Sequence, residues 1–402
     1  MESAPIWYVI FSGFSLAIIL GIMVSKTNFC TMGAISDWVN MGDKGRMYAW
    51  LFAIAVAMTG VLALEGLGVI NLGMTMPPYR TPNFAWLRYL LGGLMFGVGM
   101  TLAGGCVNKT LIRIGNGNMK SVFVLLVGGI MAFLMTKTDF YYYAFASWMN
   151  PFTIDLQSAG IKSQQITTLI GGLFGVDDSG WFHTLTASFI ILGLLYFIFR
   201  SRHFRSRFDN LLGGASVGLL VVAGWYVTAG PLGQAAVEAA SFMDSPPPGV
   251  GAMSFTFVNP MGETLYYLTR PLEVTLITFG VAILLGVIVG SFIYGLFTRT
   301  LRLEWFTSRK DFLRYLIGGF FMGTGGVLAM GCTFGQGITG FSTLALGSLI
   351  AFGSFILGSA MTMKVEYYLM VYDNARFVDA FRAALADFHL LPRTASMLKP
   401  VD

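Results

Sequence analysis

Three stretches of this sequence set a thiol among small and polar residues: Asn28-Phe29-Cys30-Thr31-Met32-Gly33-Ala34, Gly104-Gly105-Cys106-Val107-Asn108-Lys109 and Gly331-Cys332-Thr333-Phe334-Gly335-Gln336-Gly337. Each lies just past an apolar run. These are all the cysteines in the chain. Being odd in number and far apart, they form no disulfide framework. The three histidines (His183, His203, His389) stand near none of them in sequence, so a zinc or haem site has almost no raw material, and neither metal nor cofactor is expected. A lone cysteine in a membrane helix usually acts as a small buried hydrophobe. Here every cysteine shares one setting, which points to use of the thiols: weak S–H donors on a soft, polarisable atom. The small or polar neighbours Gly105, Asn108, Gly331, Thr333, Gly335 and Gln336 are candidate lining residues. Lys109, three residues past Cys106, is a candidate for attracting an anion, and an ordinary cytoplasmic-loop lysine is the equal alternative.

The elements that must position these residues are membrane helices. The chain is 55% hydrophobic and only 11% charged, against about 25% charged in soluble domains. So few charges cannot cover a water-facing surface, and the main solvent is lipid. We read an all-α polytopic fold with nine spans: Ile6–Val24, Met47–Ile70, Trp86–Gly104, Ser121–Thr136, Trp181–Phe199, Leu211–Ala229, Leu272–Phe297, Arg314–Gly331 and Leu344–Met363. Two shorter apolar pieces, Ile166–Val176 and Val250–Val258, are expected as half-helices or interfacial helices. The N-terminus lacks the basic n-region of a signal peptide, so the first apolar stretch reads as a retained span. The segment 364–402 reads as a short cytoplasmic tail.

Charge orients the bundle. The net charge of +5 reflects basic loops rather than a nucleic-acid surface. Arg200, Arg202, Arg205 and Arg207 fill one loop; Arg299, Arg302, Arg309, Lys310 and Arg314 fill another. Placing both inside puts the N-terminus outside and the C-terminus in the cytoplasm. Lys26, Lys44, Arg46, Lys109, Arg113 and Lys120 then also fall inside; Asp177, Asp178, Glu238, Asp244 and Glu263 fall outside. Trp7, Trp50, Trp86, Trp148, Trp181 and Trp225 lie near span ends, as an interfacial aromatic belt would. Glu65, late in an apolar run, is either functional or interfacial.

The sequence repeats itself. Leu87-Arg88-Tyr89-Leu90 returns as Leu313-Arg314-Tyr315-Leu316 and the match runs on without a gap to Gly105-Cys106 and Gly331-Cys332. The first copy runs inward and the second outward, an inverted-topology repeat whose substrate site is expected near the midplane. We therefore expect one permease domain, 1–363, built of halves at about 1–136 and 211–363 joined by 137–210. Leu20-Gly21-Ile22-Met23-Val24 also resembles Leu285-Gly286-Val287-Ile288-Val289, which sets Gly295 near the position matching Cys30. The Gly97-Val98-Gly99 and Gly323-Thr324-Gly325 pairs follow no strand, so they are read as helix-packing motifs rather than nucleotide loops.

The three cysteine segments and the duplicated Gly-Cys motif resemble the YeeE/YedE family of bacterial sulfur-transport membrane proteins, over nearly the whole of Ile6–Met363. Ser254-Phe255-Thr256-Phe257-Val258 before Asn259-Pro260 is also similar to that family. The resemblance implies a permease of the bacterial inner membrane that imports thiosulfate, with Cys30, Cys106 and Cys332 lining a narrow path. It also implies a small soluble sulfurtransferase of the TusA type as a possible cytoplasmic partner. Some relatives are linked to selenium. Two other classes stay open: a membrane thiol enzyme or sulfur-relay subunit handling persulfide or selenium species, and a scaffold with no pathway of its own. The first needs an attacking thiolate, yet the sequence offers no C-x-x-C and no partnering histidine.

Overall fold

The structure, a computed structural model, describes residues 3–175, 180–372, 375–392 and 398; Asp177 and Asp178, expected on the outer side, lie outside the described residues. In lipid each backbone polar group must find its partner within the protein, so long apolar runs close into helices. They are α1 (Ala4–Thr27), α2 (Thr31–Met41), α3 (Gly45–Gly66), α4 (Trp86–Leu102), α5 (Val107–Gly115) and α6 (Met119–Lys137). Two short pieces follow, α7 (Ser147–Met149) and α8 (Ile166–Phe174), then α9 (Gly180–Arg200) and the single turn α10 (Arg202–Arg205). The rest are α11 (Phe208–Ala229), α12 (Pro231–Ser241), α13 (Val258–Thr269), α14 (Phe279–Thr298), α15 (Arg309–Leu328), α16 (Leu346–Val371) and α17 (Phe377–Asp387), with a π-helical turn over Gly335–Gly340. Among the described residues the only strands are the two-residue β1 (Asn83–Phe84) and β2 (Ile154–Asp155), paired antiparallel.

The fold is an all-α polytopic membrane protein. Eight helical segments among the described residues are long and apolar enough to cross a bilayer. The ninth expected stretch is helical as well, as α15, but it is not among those eight, and its first turns carry charge. Its Asp311 pairs with Lys120 at 2.8 Å and its Arg314 with Glu366 at 2.7 Å, so these charges sit on neighbouring helices rather than bare in lipid.

Close contacts fix the relative sense of the helices. Along α1 and α14 the contacts advance together, Gly13 against Phe279 and Gly21 against Gly290, so these two are parallel. The same holds for α3 with α11, α4 with α16 and α6 with α15. The crossing of α4 with α15 is antiparallel and made of glycines. A Cβ on Gly92 would stand 2.5 Å from the Ala329 amide nitrogen, and one on Gly318 at 2.5 Å from that of Ala103. Gly99 against Met322 and Gly325 against Phe96 repeat the arrangement, both at 2.5 Å from the amide nitrogen. Only glycine allows backbones this close, so the glycine pairs do serve helix packing.

Four expectations need correction. Val250–Val258 is not a half-helix; 250–257 is irregular and α13 starts only at Val258, since its backbone bonds to other elements, Ala252 O accepting from Met76 N at 2.8 Å and Phe255 O from Thr339 Oγ1 at 2.7 Å. Trp50 and Trp225 are wholly buried. The first stacks on Phe29 at 4.6 Å and the second donates its Nε1–H to Ser342 Oγ at 3.0 Å, so neither joins an interfacial belt. Helix α16 continues to Val371, beyond the expected tail boundary, and α17 packs back on it. Finally, the helix pair that breaks and resumes as α1–α2 does is α11–α12, where Gly230-Pro231 stands at the break. Helix α14 instead ends at Arg299 without resuming, so the position resembling that of Cys30 in shape is Gly230 rather than Gly295.

Candidate functional site

Each cysteine closes one helix and opens the next. Helix α4 ends in a turn where Ala103 N donates to Gly99 O (2.9 Å), Gly104 N to Thr101 O (3.1 Å) and Gly105 N to Met100 O (2.8 Å). The end of α15 is the same turn: Ala329 N to Gly325 O (2.9 Å), Met330 N to Val327 O (3.1 Å) and Gly331 N to Gly326 O (2.8 Å). Gly104 and Met330 both take the left-handed conformation this turn demands, at φ of 72° and 57°. Cys106 or Cys332 then begins the next helical segment. The carbonyls of Cys30, Cys106 and Cys332 all accept from the fourth residue on: Ala34 N (3.0 Å), Thr110 N (2.9 Å) and Gln336 N (2.7 Å).

The sulfurs face the helix starts. Gly33 N donates to Cys30 Sγ at 3.5 Å and Gly335 N to Cys332 Sγ at 3.4 Å; the Lys109 amide lies near Cys106 Sγ without closing that hydrogen bond. A thiol that accepts from an amide keeps its own S–H free and more polarised for donation. The starts of α2 and α5 also bring partial positive charge to Cys30 and Cys106. Cys106 lies within electrostatic reach of both Cys30 and Cys332, and Phe29 beside Cys30 packs edge to face on Phe334 of the Cys332 turn at 6.1 Å, so the three turns lie near one another. All three cysteines are closed off, at 5%, 1% and 1% exposure.

The surroundings divide into apolar, cationic and neutral polar parts. Phe29, Trp50 and Phe334 form a buried aromatic wall, Phe334 meeting Phe29 at 6.1 Å and Trp50 at 5.5 Å edge to face, with Phe257 behind at 5.7 Å. Lys109 donates to Asn28 Oδ1 at 2.8 Å and feels the charges of Arg113 and Arg46. Arg46 is neutralised by Asp37, with Nε to Oδ2 at 2.6 Å. Neither Lys109 nor Arg113 meets a carboxylate among the described residues. Thr31, Asn108 and Thr333 are buried with side-chain polar atoms that find no hydrogen-bond partner among the described residues. The Thr333 hydroxyl faces the Cys106 thiol without ordinary hydrogen-bond geometry.

The residues singled out in sequence come together unevenly. Gly105 gives room to the Lys109 stem, whose Cβ lies 2.9 Å from where a Gly105 Cβ would be. Gly331 sits in the closing turn of α15. Gly335 donates to Cys332, and its carbonyl accepts from the Tyr79 hydroxyl at 2.8 Å. Gln336 is engaged at both ends of its amide, Nε2 to Ala329 O at 2.7 Å and Oε1 from Ser348 Oγ at 2.6 Å; it braces the turn. Asn108 and Thr333 are not engaged. Sequence reasoning passed over Thr31, although Cys-Thr occurs at both Cys30 and Cys332. It also missed the aromatic wall and Tyr79, which carry no local signal. Among the described residues no group of three or more His, Cys, Asp or Glu is arranged to hold a metal.

A family model described as sulphur transport matches residues 26–361. The chain is 26% identical over 369 residues to the thiosulfate transporter TsuA of Escherichia coli, covering 87% of this chain and 92% of that protein. It is also 26% identical over 358 residues to the thiosulfate transporter TsuA of Spirochaeta thermophila, covering 87% of this chain and 97% of that one. A probable transporter, YedE, of Salmonella typhimurium is 28% identical over 102 residues, 25% of this chain.

Proposed function

The chain belongs to the sulphur-transport family, and from that premise we propose that it is an inner-membrane permease importing thiosulfate past Cys30, Cys106 and Cys332. What supports this is that three buried thiols, each at a helix start, lie near one another. A divalent anion in low dielectric needs donors to replace its water. Helix-start amides and polarised S–H groups supply them without a full positive charge that would trap the ion. The soft terminal sulfur of thiosulfate matches three weak soft donors, each able to release it to the next.

The same proposal treats the molecule as two inverted halves, about 1–136 and 211–363. The symmetric glycine contacts of α4 with α15 and the identical turns before Cys106 and Cys332 support it. It orients the N-terminus outside and the C-terminus in the cytoplasm, on the basic loops. Lys109, with Arg113, then sits on the cytoplasmic side of the thiols and draws the anion forward, and a TusA-type sulfurtransferase is a fitting acceptor there. Gly105, Asn108, Gly331, Thr333, Gly335 and Gln336 line or brace the constriction. Uptake of radiolabelled thiosulfate by the purified protein in liposomes tests the proposal, with loss of uptake in Cys106→Ala expected.

A further inference from the structure

Burying a hydroxyl or amide without a partner costs stability, and a same-shaped apolar side chain would remove that cost. Eleven buried side-chain polar atoms among the described residues have no partner. Four of them belong to three residues, Thr31, Asn108 and Thr333, each within two positions of a different cysteine. Valine or leucine would fill the same space. The chain instead keeps unspent hard donors and acceptors beside each soft thiol: two hydroxyls, and an amide with both its NH2 and its carbonyl free.

We infer that Thr31, Asn108 and Thr333 are specificity-determining residues that take the oxyanion end of the passing substrate while the thiols take its terminal sulfur. This rests on the permease reading above and adds which side chains hold the anion's oxygens. Thiosulfate has two unlike ends, and the buried residues around the thiols offer two unlike sets of donors. Thr333 facing the Cys106 thiol sets a hard and a soft donor side by side across two turns. The partners these side chains lack are supplied by the substrate oxygens during passage, as a site built for hydrogen-bonding rejects ligands that leave it unpaired.

The full-length protein is tested with Thr333→Val, Asn108→Leu and Thr31→Val, with Thr333→Ser as the conservative variant, by thiosulfate uptake in liposomes and by thermal unfolding in detergent with and without thiosulfate. Expected for the three apolar variants is an apparent KM raised about tenfold or more, a midpoint without thiosulfate no lower than wild type, and loss of the rise in midpoint that thiosulfate gives the wild-type protein. Thr333→Ser should keep all three wild-type properties. A lower midpoint with unchanged KM would make these groups structural, bridged by water, and overturn the inference, as would wild-type KM in all three apolar variants. The permease reading fails separately: wild-type protein that neither takes up thiosulfate nor is stabilised by it removes that reading and this inference together.

Discussion

Gly325→Ala probes how closely α4 and α15 must approach for the cysteine turns to hold their places. The new Cβ would lie 2.5 Å from Phe96 N and 2.6 Å from Gly92 O. Ordinary contact begins near 3.4 Å, so the helices must part by about 0.9 Å or the crossing must rotate. Overpacking of this kind costs about 1–3 kcal/mol, against which alanine returns up to about 1 kcal/mol of helix propensity. The net expectation is a loss of up to about 2 kcal/mol. Because α4 and α15 lead directly into Cys106 and Cys332, the same displacement reaches both thiols. The control is Gly193→Ala on α9, where a Cβ meets nothing within 4 Å and the change should be neutral or slightly stabilising. Thermal unfolding in detergent and thiosulfate uptake in liposomes are read for both variants. Gly325→Ala matching Gly193→Ala in midpoint and wild type in uptake would refute the close-crossing argument.

Four further outcomes follow from the geometry. Lys109→Gln should raise the apparent KM for thiosulfate most at low ionic strength, because screening removes long-range attraction; a KM unchanged at low salt would return Lys109 to an ordinary loop lysine. Glu65 holds Arg80 through two oxygens at 2.6 and 2.8 Å, so Glu65→Gln strands a largely buried guanidinium and should cost about 2 kcal/mol or more in unfolding free energy. Burial raises the carboxyl pKa of Glu263, against a hydrogen bond from Thr278 and the Lys137 charge, which lower it. The folded state then binds the proton more tightly than the unfolded one, so this group's contribution to stability falls as pH rises from the ordinary carboxylate range through the raised value; Glu263→Gln should flatten that part of a pH–stability curve. A cytoplasmic reporter fused after Val371 should be active and one inserted beside Asp244 silent, and the reverse pattern would invert the proposed orientation.

Much of this architecture is legible in the sequence because lipid imposes simple rules. All nine apolar runs become helices, though Leu272–Phe297 starts seven residues late, at Phe279, after a 3-10 turn over Val274–Leu276. The Leu-Arg-Tyr-Leu heads lead to turns with the same hydrogen bonds, so the Gly-Cys match carries over into backbone geometry. Contacts across the sequence are less legible. Trp50 lies near a span end by position, yet Phe29 and Phe334 pack on it from two other segments, and no local pattern announces that. Gln336 looks like a free polar residue beside Cys332 until Ser348 and Ala329 are seen to hold it. Gly230 stands where shape repeats and sequence does not, because the break there needs only a small residue before a proline that starts α12.

The central claim, that thiosulfate passes along three thiols, is tested most directly by replacing them. Uptake of radiolabelled thiosulfate is measured in liposomes for the wild-type protein, Cys106→Ser, Cys332→Ser and the triple Cys30→Ala, Cys106→Ala, Cys332→Ala variant, each normalised to folded protein. Serine keeps a donor of similar size but exchanges soft sulfur for a better-hydrated oxygen. Both serine variants should lose most uptake and the triple variant all of it, with little change in thermal midpoint. A triple alanine variant that folds normally and transports at the wild-type rate would contradict the thiol pathway and leave the three cysteines as packing.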